Sequence, residues 1–85
     1  MKTINFTKFP LLNRDGQIEQ VDIAKLLFNT AYSQSRNRDD VVKNLSFKED
    51  DDIELTDENI EYFSYHLGFI QPATVLYSFE KYIEK

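Results

Sequence analysis

The segment from residue 23 to about 35 constrains the fold of this chain more than any other. With Asp22 as its N-cap, it is predicted to form a helix whose apolar residues cover well over half of the circumference. These residues are Ile23, Ala24, Leu26, Leu27, Phe28, Ala31 and Tyr32. A helix that is apolar on so much of its surface is contacted from several sides. We therefore expect it to be the central helix of the core.

The residues before this helix predict a β-hairpin over residues 3–20. The first strand, Thr3–Leu12, alternates in part between apolar and polar residues, and Pro10 interrupts it as is typical of an edge strand or a bulge. Asn-Arg-Asp-Gly at residues 13–16 is a turn signal whose Asp-Gly pair suits positive φ. Residues 17–21 are predicted to return as the second strand.

A short helix is predicted to begin at Asp39 or Asp40, after a polar loop. It runs through the apolar residues Val41, Val42 and Leu45, and Phe47 is expected to pack just beyond it. The acidic run 49–52 is expected to be exposed. Residues 53–55 are expected to form a brief strand or an extended lead-in.

Two further helices are predicted after the acidic run. Thr56 is a suitable N-cap for the first, which ends at Leu67 with Gly68 as its C′ residue. Pro72 fits the first position of the second. An apolar stripe follows that last helix: Val75, Leu76, Phe79, Tyr82 and Ile83. The predicted fold class is α+β, an N-terminal β-hairpin packed on a small bundle of three to four helices, in a single domain over residues 1–85.

The charge of the chain is divided unevenly. Residues 1–48 carry eight Lys/Arg and five Asp/Glu, a net charge of +3, whereas residues 49–85 carry two Lys/Arg and ten Asp/Glu, a net charge of −8. Attraction between the two halves within one fold, or simple solvation, is the favoured interpretation. Association between complementary faces of different chains is the other.

The residue types that most catalytic and metal sites need are scarce. The chain has no Cys and one His, so thiolate chemistry and zinc are not expected. His66 is interpreted as a surface or capping histidine near a helix C-terminus rather than a general base. A calcium loop starting at Asp50 has Glu61 at its twelfth position but Leu55 instead of glycine at its sixth. We expect no enzyme activity, no cofactor and no metal, and weak cation binding by the acidic run is left open.

Nucleic-acid binding and membrane association are two further classes of function on which the sequence bears. Gly68 between two helices suggests a helix-turn-helix unit, but the last helix has only Lys81 and Lys85 as basic residues, so nucleic-acid binding is disfavoured. A nucleic-acid-associated regulator, using the basic half or an acidic DNA-mimic surface, is kept as the alternative function. The sequence has no apolar stretch of membrane-spanning length and no signal-peptide pattern, which predicts a cytoplasmic protein without membrane contact.

Three tyrosines form the candidate interaction surface. Tyr62 and Tyr65 are predicted on the side of their helix opposite an apolar stripe at positions 60, 63 and 67, and Tyr77 lies opposite the stripe of the last helix. Tyrosine is enriched at protein interfaces. The other interpretation is that these side chains pack under the hairpin or lie half-exposed singly. We expect a non-enzymatic protein–protein interaction or accessory module, with a protein partner or a homo-oligomer.

Four stretches set the overall pattern of the chain: Phe9–Leu12, Asp22–Leu27, Ile53–Ile60 and Pro72–Ile83. They correspond to a short hairpin, a central apolar helix, an acidic Leu-Thr-Asp-Glu-Asn cap and two terminal helices. In this pattern the chain resembles small accessory proteins of uncharacterised function that phages and mobile elements encode. The resemblance covers most of the chain, and it implies a small accessory protein and no catalytic residues.

Overall fold

The computed structural model describes residues 2–84. Within them lie four helices, α1 (Ala24–Ser33), α2 (Arg38–Ser46), α3 (Asp57–Leu67) and α4 (Thr74–Glu84), and four short strands, β1 (Thr3–Ile4), β2 (Phe9–Leu12), β3 (Ile18–Val21) and β4 (Ile53–Glu54). Strands β2 and β3 form an antiparallel hairpin that packs on α4, while β1 pairs antiparallel with β4. This confirms the predicted α+β class, an N-terminal hairpin with a set of helices.

The predicted hairpin over residues 3–20 is wrong in its first strand. The Asn5 side chain accepts a hydrogen bond from the Thr7 amide at 3.0 Å and caps a single turn of 3₁₀ helix over Phe6–Lys8. This turn separates β1 from β2, so β1 pairs with β4 and the hairpin runs from residue 9 to residue 21. Gly16 closes the hairpin at φ 88°, in agreement with its turn signal.

The core is aromatic and has Phe6 at its centre. The Phe6 ring centroid lies 4.8 Å from Phe63 on α3, 6.0 Å from Phe9 on β2, 6.1 Å from Phe28 on α1 and 6.4 Å from Phe79 on α4. All five side chains are buried. One residue of the 3₁₀ turn therefore joins the hairpin to three helices.

Helix α1 is less enclosed than the sequence predicts. Its buried residues are Ala24, Leu27, Phe28 and Ala31. Leu26 and Tyr32 are instead 54% and 51% exposed, so the helix buries one face rather than being surrounded. The helix begins at Ala24, so Ile23 and not the predicted Asp22 is its N-cap; the Asp22 carboxylate still accepts a hydrogen bond from the Ala24 amide at 3.1 Å.

The boundaries of α3 and α4 are close to the predicted ones. Thr56 caps α3 as predicted, because its hydroxyl accepts a hydrogen bond from the Asn59 amide at 3.1 Å. Gly68 has a φ of −63° and does not adopt the left-handed conformation of a C′ glycine. Helix α4 begins at Thr74, two residues after Pro72, and turns its predicted stripe toward the core.

Candidate functional site

The structure does not gather the three candidate tyrosines on one surface. Tyr62 is only 1% exposed, with its ring 4.5 Å from the ring of His66 and 6.1 Å from that of Phe47. Its predicted position on the exposed face of α3 is wrong, because Lys43 and Phe47 pack over the Tyr62 ring and bury this side of the helix as well. Burial raises the pKa of the Tyr62 hydroxyl.

Tyr65 and Tyr77 lie at the surface, 39% and 50% exposed, in different surroundings. The Arg36 guanidinium stacks over the Tyr65 ring at 4.2 Å from its centroid. Tyr77 lies beside the hairpin turn, where it lines an open cleft with Leu12 and Arg14. Both are half-exposed aromatic side chains with neighbours on their own chain, which is common for surface tyrosines.

A cavity of about 220 Å³ lies between the hairpin and α4. Its lining residues are Pro10, Leu12, Ile18, Ser78, Lys81 and Tyr82. Typical ligand sites measure about 300–1,000 Å³. The Ser78 hydroxyl accepts a hydrogen bond from the Leu12 amide at 2.9 Å and donates one to the Thr74 carbonyl at 2.6 Å. The cavity is thus small, and the Ser78 hydroxyl in its lining already joins the hairpin to α4.

Helix α2 turns its polar face to the protein interior and its apolar face to solvent. Asp40 and Asn44 are buried, at 7% and 6% exposed, whereas Val42 and Leu45 are 59% and 69% exposed. The usual amphipathic helix has the opposite orientation. The helix begins at Arg38, before either of the predicted starts at Asp39 or Asp40, because the Asn37 side chain caps it.

Specific hydrogen bonds hold the polar face of α2 inward. The Asp40 carboxylate accepts hydrogen bonds from Arg36 Nε at 2.8 Å, Arg36 Nη2 at 3.2 Å and the Arg36 amide at 3.0 Å. The Asn44 side-chain amide donates to the Phe28 carbonyl of α1 at 3.0 Å. Arg36 also binds Glu61 of α3 at 2.6 Å, and its guanidinium lowers the pKa of both carboxyl groups.

His66 lies under α2 and not at the surface, so its predicted position is wrong. Its side chain is fully buried between the rings of Tyr62 and Tyr65, and Nε2 lies 3.5 Å from an Asp40 carboxylate oxygen. Within residues 2–84 neither ring nitrogen has a hydrogen-bond partner. Burial lowers the pKa of the imidazole, and the Asp40 carboxylate opposes this in part. His66 is therefore neutral at pH 7.

The free energy of unfolding is expected to decrease as the pH falls below about 6.5, the ordinary pKa of histidine. In this range the unfolded chain binds a proton at His66 that the folded chain does not bind. A second decrease is expected below about 4.5, because the lowered pKa values of Asp40 and Glu61 make their protonation unfavourable in the folded state. Urea denaturation at a series of pH values measures both, and a stability that rises between pH 7 and pH 5 would contradict the first.

Replacing His66 with phenylalanine is expected to keep or increase the stability at pH 7. The substitution removes two buried nitrogens that lack hydrogen-bond partners in the described part of the chain and keeps a ring of similar size. It should also flatten the dependence of stability on pH between 7 and 5. His66→Ala serves as the comparison, since it flattens the same dependence but leaves a cavity.

The outer face of α2 consists of Arg38, Asp39, Val42 and Leu45, all of which are exposed. Its centre is apolar, and the two charged residues lie in the first turn of the helix. Lys48, also exposed, follows the C-terminal end. Apolar contacts with a charged rim are the composition of a protein-binding surface. The sequence-based choice of tyrosines missed this face.

The acidic run 49–52 is hydrogen-bonded to the N-terminal segment through Asp50 and Asp52. The Asn5 side-chain amide donates to Asp50 Oδ1 at 3.1 Å and to Asp52 Oδ1 at 3.2 Å, and the Thr7 hydroxyl donates to Asp50 Oδ1 at 3.0 Å. These donors lower the pKa of Asp50. In the part of the chain that the structure describes, no group of three or more His, Cys, Asp or Glu side chains is placed to hold a metal ion.

Comparison with known proteins gave no significant match to a protein-family model, to a curated protein or to a solved structure. Among the helices described between residues 2 and 84, none has both the length and the apolar character needed to cross a membrane. The function is therefore inferred from the geometry of the chain itself.

Proposed function

We propose that the chain is a non-enzymatic protein-interaction module and that the outer face of α2 is its binding surface. The observation that carries this proposal is the orientation of α2, with Val42 and Leu45 in solvent and Asp40 and Asn44 inside. A domain of this size has little apolar surface to spare. A partner that covers Val42 and Leu45 would remove this apolar surface from water, and exposed apolar residues of this kind are typical of protein-binding sites.

Covering the outer face of α2 is favourable in free energy. Full burial of a Val or Leu side chain contributes roughly 1.5–3 kcal/mol, so the exposed fractions of Val42 and Leu45 correspond to about 2–4 kcal/mol together. A micromolar complex needs about 8 kcal/mol. The residues that flank the apolar centre must therefore contribute as well.

The alternative function, a nucleic-acid-associated regulator, has weaker support. Arg36 binds Asp40 and Glu61, and Lys43 binds Glu58 at 3.1 Å, so these cations of the basic half face carboxylates rather than phosphates. Both cations also reach the acidic half, as the favoured interpretation of the charge division predicts. The connection between α3 and α4 spans residues 68–73, longer than the turn of about 3–4 residues in a helix-turn-helix unit.

An accessory role of the kind that small phage and mobile-element proteins have is part of the same proposal, with a cytoplasmic location. A small module with one binding face suits such a role, because it acts by attaching to another protein. The pattern of the sequence and the exposed face of α2 both support it.

Site-specific photo-crosslinking in cells tests the binding surface. A photoreactive residue in place of Leu45 is expected to give a defined adduct, and the same residue in place of Ile18, which is 53% exposed on β3, is expected to give none. The additional substitution Val42→Asp should remove the adduct at position 45. Equal adduct yields from positions 45 and 18, or no adduct from either, would contradict the proposal.

A further inference from the structure

The outer face of α2 is complementary to itself. We infer that it binds the same face of a second copy, with the two α2 helices antiparallel about a two-fold axis. This inference rests on the proposed function and names the partner. A two-fold interface brings one patch from each copy together, so the patch must match itself in both shape and charge.

The apolar centre of the face meets this requirement. In an antiparallel pair of helices, an alignment that places Val42 against Leu45 of the second copy also places Leu45 against the second copy's Val42. The two residues are three positions apart and therefore neighbours on one side of the helix. A single short contact covers all four exposed side chains.

The same alignment brings opposite charges together. Asp39 lies in the first turn of α2 and Lys48 lies two residues beyond its last residue, Ser46, so the antiparallel arrangement places Asp39 of each copy at the same end of the pair as Lys48 of the other. Both side chains are exposed, and within residues 2–84 neither takes part in an ion pair. The two-fold axis repeats this contact, so the dimer gains two pairs of opposite charges.

Arg38 also fits the antiparallel arrangement. It is the first residue of α2, at the positive end of the helix dipole, where a cation is unfavourable. In the dimer this end lies beside the C-terminal end of the second α2, whose carbonyl groups attract a guanidinium. A position that is unfavourable in the single chain becomes favourable in the pair.

The size of the face sets the expected strength. A standard interface takes about 800 Å² from each partner, roughly one seventh of the 5576 Å² surface of this chain. One side of a nine-residue helix supplies less than that. We therefore expect a weak dimer, with a dissociation constant on the order of 10–100 µM.

Reciprocal charge reversal tests the dimer. Sedimentation equilibrium of the purified chain up to about 1 mM is expected to show a monomer–dimer equilibrium. Asp39→Lys and Lys48→Asp each turn two attractive contacts into repulsive ones and should weaken the dimer about tenfold or more. An equimolar mixture of the two variants restores attraction at both contacts, so the mixed dimer should regain the original affinity within about threefold.

Apolar variants provide the second measurement. Leu45→Gln is expected to remove the dimer, and the matched control Ile18→Gln on β3 is expected to leave it unchanged. Both positions are exposed, so both variants should keep the circular dichroism of the folded chain. A wild-type chain that stays monomeric to about 1 mM, or a mixture no tighter than the separate variants, would overturn the second copy as partner. In that case a different protein crosslinked at position 45 still supports the proposed function, whereas no adduct contradicts both.

Discussion

Replacing Phe6 with alanine is expected to lower the free energy of unfolding by about 3–5 kcal/mol. Phe6 is fully buried, and its ring meets aromatic rings from β2, α1, α3 and α4, so no single element can move to fill the space. A chain of this length has a total stability of about 4–13 kcal/mol. The variant should therefore be partly or fully unfolded at 37 °C, as thermal denaturation followed by circular dichroism would show.

Phe69→Ala is the matched control for this substitution. Phe69 follows α3, is 45% exposed and contacts the Tyr65 ring with a centroid distance of 5.3 Å. Its loss should cost less than about 1 kcal/mol. Similar losses of stability in the two variants would show that Phe6 is not the centre of the core.

Asp40→Ala is expected to destabilise the chain by about 2 kcal/mol. The Asp40 side chain is 9% exposed and accepts three hydrogen bonds from Arg36, which itself connects α2 to Glu61 of α3. Removing the Asp40 carboxylate takes away the acceptor of three hydrogen bonds from Arg36 and leaves the Arg36 guanidinium with Glu61 as its carboxylate partner. Urea denaturation at pH 7 measures the difference.

Asp39→Ala provides the comparison on the same turn of α2. Asp39 is exposed and acts on stability mainly through the positive end of the helix dipole, which corresponds to less than about 1 kcal/mol. The two substitutions remove the same charge from neighbouring positions. If they cost the same, the hydrogen bonds to Arg36 do not stabilise the orientation of α2.

The elements predicted correctly are those whose signals act on neighbouring residues. The Thr56 hydroxyl caps α3 through the amide of Asn59, three residues later in the chain, and Gly16 closes the hairpin within a single turn. The pairing of β1 with β4 could not be predicted in this way. Ile4 faces Ile53 across the two strands, each strand is two residues long, and a periodic pattern needs more residues than that.

Neither the burial of Tyr62 nor the orientation of α2 could be predicted from the sequence, because the side of a helix that lies inside depends on tertiary contacts. Asp40 and Asn44 are four residues apart and share a face opposite Val42 and Leu45, so the sequence does contain an amphipathic pattern. Which face is buried is decided by Arg36 and by a carbonyl group of α1, and these contacts have no periodic signature. The burial of Tyr62 and His66 beneath α2 follows from the same contacts.

Strand β1 and the residues beside it are held in place by α4, which is synthesised much later. The Tyr82 hydroxyl donates a hydrogen bond to the Thr3 carbonyl at 2.6 Å, and the Tyr82 carbonyl accepts one from Lys2 Nζ at 2.8 Å. On a ribosome that adds about 5–20 residues per second, Tyr82 appears roughly 4–16 s after Thr3. During that interval Ile4 and Phe6 lack part of their cover, a condition that chaperones recognise in nascent chains. Phe6 is synthesised well before α4, yet its burial is complete only once α4 has formed.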